Sequence, residues 1–326
     1  MNKIRWGIVG AGNIAKKFAV AVKNVDCAEL VAIGSRTKEK GEAFAEAYGI
    51  ENVFDSYEAM ASSDKVDAVY IATPHPMHVS CALLFLEAKK HVLCEKPLCV
   101  NAAQAIKLKE SANRNGVFLM EAMWTRFLPA IKEIQGLIAE GAIGEVSGIK
   151  ADFCYASTYD EDRKIYRNDM AGGSLLDVGV YGLHFSSIFL GEEPEEISSM
   201  AKIGHGVDLH TNVLLKYKNG AISYISSAVD LYKPSDAYIY GTKGYIYVPT
   251  FYGAKDFYLC KGSEKLHIEK PSIGVGFEEE IYEVCHCIAA GKTESDVLPL
   301  DKTVKILSQM DLIRKQIGLE YPFDFE

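Results

Sequence analysis

The chain has no excess of positive charge. Its 35 Lys and Arg stand against 44 Asp and Glu, a formal net charge of −9. Binding to phosphate backbones or anionic lipid needs a basic face, so nucleic acid and membrane are not expected as partners. A long uncharged apolar run is also missing. The nearest approach, Ala171–Gly191, contains Asp177, His184 and five glycines, and it reads as a buried helix rather than a membrane span. There is no cysteine framework: Cys27, Cys81, Cys94, Cys99, Cys154, Cys260, Cys285 and Cys287 are scattered, mostly among apolar neighbours. Met1-Asn2-Lys3-Ile4-Arg5 runs straight into a strand pattern, with no leader-like segment before it. Reduced thiols and a cytoplasmic location are expected. Cys285-His286-Cys287 lacks the spacing and the second ligand pair of a zinc site, and His75 and His78 stand in a Pro-rich loop with no further ligands, so no metal is predicted. Repeats, linkers and low-complexity segments are absent. What remains is a chain of 326 residues, 48% apolar: about two domains at roughly 150 residues each, with enough length to bury a core without staples.

The first third alternates strand and helix patterns. Residues 3–9 are an apolar strand, and Gly10-Ala11-Gly12-Asn13-Ile14-Ala15 follows, running into a helical pattern to about Val25. This is the G-x-G-x-x-A fingerprint in its required setting of strand, glycine turn and helix. The first glycine permits the turn, the second lets backbone approach a pyrophosphate, and Ala15 lets helix and strand pack closely. The helix N-terminus, with Asn13 and Ile14, offers free N–H groups to phosphate. Strand patterns recur at 30–33, 53–54, 66–72, 91–94 and 117–120, with helices at 39–48, 79–88 and 102–115. Apolar strands separated by helices predict a doubly wound parallel sheet.

The end of the second strand reports on cofactor choice. An acid there accepts from the ribose hydroxyls of NAD. Here the segment is Gly34-Ser35-Arg36-Thr37-Lys38, with no acid before Glu39. Ser35 can bond a 2′-phosphate, and Arg36 can pair with it and stack on adenine. NADP is the predicted cofactor, with NAD the second choice.

Two further motifs lie at the carboxyl ends of parallel strands, where such sheets bind ligands: Ala72-Thr73-Pro74-His75-Pro76-Met77-His78 and Cys94-Glu95-Lys96-Pro97-Leu98. With Asp177-Val178-Gly179-Val180-Tyr181 on a later helix, the chain resembles the Gfo/Idh/MocA oxidoreductases. Their marks are an N-terminal G-x-G-x-x-A, Glu-Lys-Pro after the fifth strand and Asp-x-Gly-x-His/Tyr on a helix. Glu121–Phe127, Gly172-Gly173-Ser174-Leu175-Leu176 and a tyrosine at 181 make it similar to the branch of dimeric dihydrodiol dehydrogenases and NADP-dependent xylose dehydrogenases.

The resemblance implies hydride transfer between NADP and a cyclic diol or sugar. It implies Tyr181, Lys96 and Asp177 as the catalytic set. A phenol titrates near 10 and needs a cation beside it to act as a base at neutral pH, and the resemblance supplies Lys96 from the other domain. Asp177 lies four residues before Tyr181, on the same face of the expected helix, where it orients Lys96 or bonds a substrate hydroxyl. Which of Lys96 and Tyr181 transfers the proton stays open. By resemblance Thr73 lies along the dinucleotide and His75 beside the nicotinamide or its ribose, and His78 and Glu95 are counted with the cofactor site. Trp124, Arg126, Phe127, Phe153, Tyr155 and Phe277 are pocket-wall candidates, with core packing the competing reading for all but Trp124. His184 reads as a satisfied helix histidine.

From Trp124 onward the pattern changes to a helix (128–140), a strand (145–153), a charged loop (155–170) and then strand patterns at 197–203, 211–217, 222–229, 237–241, 245–249, 256–261 and 265–269, closed by helices at 277–290 and 303–317. Turns such as Lys218-Asn219-Gly220 predict hairpins. The expected division is therefore a dinucleotide-binding Rossmann domain, 1–123, and an α+β domain, 124–326, with a large, mostly antiparallel open sheet. One face of that sheet needs cover, and the resemblance implies a homodimer through it. Two alternatives share the fold: an NAD-dependent glycoside hydrolase, against which Arg36 argues, and a non-catalytic nucleotide sensor, against which the retained Lys96 and Tyr181 argue.

Overall fold

Six of the apolar runs pair side by side in the computed structural model, which describes residues 3–325; Met1 and Asn2, read above as leading into the first strand, lie outside the described residues. The strands are β1 (Ile4–Val9), β2 (Ala28–Gly34), β3 (Asn52–Phe54), β4 (Ala68–Ile71), β5 (His91–Glu95) and β6 (Leu119–Ala122). All are parallel, in the order β3-β2-β1-β4-β5-β6. The order reverses beside β1, and that reversal places a crevice at the carboxyl ends of β1 and β4. Helices α1 (Asn13–Ala21), α2 (Lys38–Tyr48), α3 (Tyr57–Ala61), α4 (His78–Glu87) and α5 (Ala102–Asn115) connect the strands.

Because both sheet faces are covered, the strands read as continuous apolar runs. Ile8, Val69, Tyr70, Ile71, Val92 and Leu93 are all fully buried. Phe18 of α1 stacks on Tyr70 at 3.9 Å and meets Trp6 edge-on at 5.4 Å, and burying each such ring contributes roughly 1.5–3 kcal/mol. Helix α3 has no counterpart in the sequence reading. It is five residues long, too short for a periodic signal, and its mark is its N-cap: Ser56 Oγ accepts from Ala59 N at 3.2 Å.

The second sheet follows α6 (Pro129–Ala139), whose Pro129 sits in the first turn, where a missing N–H costs nothing. Its strands are β7 (Val146–Cys154), β8 (Glu196–Gly204), β9 (Val207–Lys216), β10 (Ile222–Ala228), β11 (Ala237–Gly241), β12 (Gly244–Val248), β13 (Asp256–Lys261) and β14 (Glu264–Glu269). The order is β14-β13-β12-β11-β7-β10-β9-β8, antiparallel except where β7 meets β10. Helix α7 (Val180–Leu190) packs on β7 and β10. The stretch Asn168–Leu190 is long and apolar enough to cross a membrane by length and composition, and 78% of its most apolar window is buried inside the protein.

The chain closes with α8 (Glu278–Ala289) and α9 (Leu300–Ile317). Here the division into units differs from the expected single boundary. The first unit comprises residues 1–99, 103–124 and 273–304; the second comprises 100–102, 125–272 and 305–326. Hydrogen bonds carry the returning segment back to the first unit. Asn24 Nδ2 donates to Glu278 Oε1 at 2.8 Å, and Leu119 N donates to the Thr293 carbonyl at 3.0 Å.

Candidate active site

In the first unit the fingerprint loop joins β1 to α1. Gly10 has φ +97°, and a Cβ there would stand 3.2 Å from the Ala72 carbonyl oxygen, so glycine is required for both conformation and space. Gly12 caps α1 in extended conformation, with no side-chain cap and no acid in the first turn. Gly12 and Asn13 are exposed and Ile14 half-buried. The first N–H groups of α1 therefore need an acceptor from outside the helix, which a pyrophosphate supplies. The cradle fits a dinucleotide.

At the end of β2 the two residues assigned to a 2′-phosphate part company. Ser35 is buried, and its hydroxyl donates to the Thr37 carbonyl at 2.9 Å while accepting from Thr37 N at 3.3 Å. The serine shapes the turn. Arg36 is exposed and lies beside the Tyr57 phenol, which burial pushes upward and Arg36 pulls back. It lines a cavity of about 660 Å³ with Tyr57, Met77, Ser80, Cys81 and Leu84. Guanidinium, apolar wall and open volume together suit a phosphorylated nucleoside.

The loops after β4 and β5 are pinned to one another. His78 is fully buried; Nδ1 lies 2.9 Å from the Pro97 carbonyl and Nε2 2.9 Å from the Thr73 carbonyl. Burial holds this imidazole below its usual value, so near pH 7 it is neutral and donates to only one of the two carbonyls, the tautomer deciding which. The structure thus gives His78 a positioning place between the loops, with no solvent-facing edge for a cofactor. Thr73 is buried beside it, and His75, half-buried, opens the short turn before α4, its ring 5.7 Å from that of His78. Glu95 likewise turns inward. Its carboxylate accepts from the Tyr70 hydroxyl and, at 3.2 Å, from Lys96 N. Burial raises its pKa, with Tyr70 and Lys96 opposing. The half-buried Lys96 stands directly after it.

Glu121 completes the support, and the sequence reading assigned it no role. It is buried at the end of β6, and its carboxylate accepts from Leu98 N at 3.1 Å and from the Thr303 hydroxyl at 2.9 Å. An acid inside an otherwise apolar strand was the available signal. Trp124 is half-buried and meets Phe277 edge-on at 5.1 Å.

In the second unit the expected uniform helix around Asp177 is not uniform. Leu175–Gly179 forms a π-turn, and α7 begins after it. Such wide turns recur at functional sites. Asp177 accepts from the Tyr155 hydroxyl at 2.9 Å, and burial followed by the Asp177 charge pushes that phenol far above its ordinary value. Tyr155 is therefore a donor to Asp177 rather than a simple wall residue. Tyr181 is buried in the first turn of α7. Its ring lies 5.3 Å from Phe153 and 6.0 Å from Tyr252, and Phe153 stacks on Tyr252 at 4.0 Å. Tyr252 had no periodic signal, because it sits in the short turn between β12 and β13.

Arg126 is 4% exposed. Its Nε donates to His184 Nδ1 at 3.0 Å and its Nη2 to the Ser187 hydroxyl. The expectation that it walls the pocket gives way to a buried tie onto α7, in which His184 Nδ1 is the acceptor. Phe127 is fully buried core. Among the described residues no His, Cys, Asp and Glu cluster could hold a metal ion.

Residues 4–123 match the family described as Gfo/Idh/MocA oxidoreductase, NAD-binding Rossmann fold, and residues 131–247 match its C-terminal domain. The chain is 35% identical to the trans-1,2-dihydrobenzene-1,2-diol dehydrogenase of Xenopus tropicalis over 329 residues, 98% of this chain and 99% of that one. It is 32% identical to the human protein of that name over 333 residues, with the same coverage. Among solved structures, a 3-ketoreductase from Actinomadura kijaniata in complex with NADP and TDP-benzene aligns with TM-score 0.89 at 25% identity, covering 97% of this chain and 98% of that one. The aldose-aldose oxidoreductase of Caulobacter crescentus shares the fold, with TM-score 0.89 at 23% identity and the same coverage.

Proposed function

The chain belongs to the Gfo/Idh/MocA family, as an NAD(P)-dependent oxidoreductase acting on CH–OH groups, and from that premise we propose that it works with NADP on the ring hydroxyl or carbonyl of a cyclic diol or sugar. The observation that carries the substrate class is the group formed by Phe153, Tyr252 and Tyr181, with Asp177 held nearby by Tyr155. Flat aromatic faces suit the apolar face of a ring, and a fixed carboxylate suits its hydroxyls. The trans-dihydrodiol dehydrogenases among its relatives support the same class.

Gly10, Gly12 and the start of α1 would hold the pyrophosphate, and Arg36 the 2′-phosphate. NADP, when bound, supplies the acceptor or donor of the hydride. The chain's own residues must then move one proton at the alcohol oxygen. We assign the movement of that proton to the side chains of Tyr181 and Lys96. Asp177 orients the reacting hydroxyl. His78, Glu95 and Glu121 keep the Lys96 loop in one conformation. The hydrolytic and sensing alternatives are not favoured: the relatives are named as dehydrogenases, and the chain carries both Lys96 and Tyr181.

A homodimer through the outer face of the second sheet belongs to this proposal. One cross-strand row there runs through all eight strands: Ser198, Leu214, Tyr224, Lys150, Tyr238, Tyr247, Tyr258 and His267. Lys150 sits 5.2 Å over the Tyr238 ring, and Lys265 4.1 Å over Tyr258. Such a patch supports pairing with a second copy.

The test is nicotinamide absorbance on cofactor-stripped protein, with NADP and NAD separately, against aldoses, inositols and trans-dihydrodiols. NADP-linked turnover of one class is expected. Tight NADP binding with no turnover across the panel refutes the substrate class.

A further inference from the structure

The Gly172-Gly173-Ser174-Leu175 run that leads into the π-turn is built around a buried carboxylate. Asp208, on β9, is fully buried. Its Oδ2 accepts three hydrogen bonds of 2.7 Å each, from the Ser174 hydroxyl, the Thr211 hydroxyl and Leu175 N. Ser174 Oγ also lies 3.0 Å from Ser227 Oγ on β10. Leu175 is the first residue of the π-turn, so the carboxylate satisfies an N–H that has no intrahelical partner and places negative charge where the helix end favours it.

The glycines follow from the same arrangement. Gly173 has φ +111°, and a Cβ there would stand 2.1 Å from Asp208 Oδ1. A Cβ at Gly172 would stand 2.5 Å from the Lys164 carbonyl oxygen. Any larger residue would lift the lead-in off the carboxylate. Asp177 follows Leu175 by two residues, and Tyr181 follows Asp177 by four.

We propose that Asp208 is a positioning residue for the reaction: its carboxylate seats residues 172–175 on β9 and so fixes Asp177 and Tyr181 for proton transfer. The inference rests on the reading of Tyr181 and Asp177 given above. Burial pushes the Asp208 carboxyl up to about 6, with Thr211, Ser174 and Leu175 N opposing. Oδ1 makes no hydrogen bond of its own. The titratable groups around it are few. Tyr321, from the C-terminal segment, donates to the Gly172 carbonyl at 2.5 Å and feels the Asp208 charge. Behind Tyr321 lie Arg314, 5.0 Å over its ring, and Asp324, paired with Arg314. His210 of β9 is engaged with Ser226, 3.1 Å away, and Asp177 lies within the turn itself. Ionised Asp208 holds three donors on Oδ2; protonation, at the unpartnered Oδ1, removes the negative charge that strengthens those three bonds. Turnover should therefore fall below pH about 6 as the seat loosens.

The experiment compares wild type, Asp208→Asn and Ser174→Ala, with Tyr181→Phe as the control, by pH profiles of kcat and by KM for NADP. The expected result is a loss in kcat of at least about tenfold for Asp208→Asn, with KM for NADP within about twofold. The acid limb near pH 6 should vanish in that variant. In Ser174→Ala the limb should move to higher pH, because the carboxylate has lost a donor. If Asp208→Asn does not fold, Ser174→Ala and Thr211→Val decide, and both must move the limb upward. An inactive Tyr181→Phe alongside an Asp208→Asn of normal kcat and unchanged acid limb overturns this inference alone. An active Tyr181→Phe overturns the reading beneath it.

Discussion

Replacing Arg36 by Ala should separate NADP from NAD. The two cofactors differ only by the 2′-phosphate, a dianion near neutral pH. Arg36 is the cation at the end of β2, where Ser35 is committed to the local turn. A hydrogen bond to a charged group contributes about 1.5–3 kcal/mol. Arg36 is exposed, so solvent screening favours the lower part of that range. At about 1.5–2 kcal/mol, the Kd for NADP should rise roughly 10- to 30-fold. The Kd for NAD should stay within about twofold, because the pyrophosphate cradle at Gly10 and Gly12 is untouched. Protein-fluorescence titrations with both cofactors measure this directly. Raising the salt should erode the wild-type preference and leave the variant's affinities nearly unchanged, since exposed charges are screened over about 10 Å at 0.1 M. Equal weakening of NADP and NAD, or a change below twofold for NADP, refutes the assignment of Arg36 to the 2′-phosphate.

Lys96→Ala and Tyr181→Phe should each lower kcat by on the order of 100-fold with NADP affinity retained; steady-state kinetics paired with cofactor titration checks both, and near-normal turnover in the two would sink the proton assignment. Tyr155→Phe removes the donor to Asp177 and should raise the KM for substrate more than the KM for NADP, with a cost in stability of about 1 kcal/mol. The Asp208 carboxyl is raised in the folded state to about 6, from about 3.8 unfolded. Its favourable contribution is therefore present below pH 4 and lost as pH rises through 6. At pH 7 the ionised group costs about 3 kcal/mol, a little over two pH units at 1.36 kcal/mol each. Wild type should gain thermal stability relative to Asp208→Asn between pH 7 and 4, and parallel Tm curves would count against the raised value. Leu214→Arg, in the outer sheet row, should halve the mass seen by light scattering, and an unchanged mass points the dimer elsewhere.

Much of the first unit was legible because its signals are local. A strand, a glycine turn and a helix follow one another within about 20 residues, and the chemistry of the turn restricts the residues it accepts. The absence of an acid at the end of β2 reads the same way. Longer-range placements were not legible. Arg126 carried the signature of a pocket residue, a cation beside aromatics, yet its guanidinium is spent on His184 and Ser187. His78 looked like a loop histidine and is a buried tie between two loops. Tyr252 and Glu121 gave weak signals because their partners lie far away along the chain. The return of residues 273–304 to the first unit left no mark in composition.

Local order in the chain was enough to specify the alternating parallel sheet and the dinucleotide cradle, since each depends on neighbours within a turn or a strand. Only the tertiary structure decided what each buried polar group does, because burial removes water and every such group must then find a partner. That partner is chosen by the packing of distant strands: Asp208 of β9 against Ser174 and Leu175, Glu121 of β6 against Leu98, and Tyr155 against Asp177.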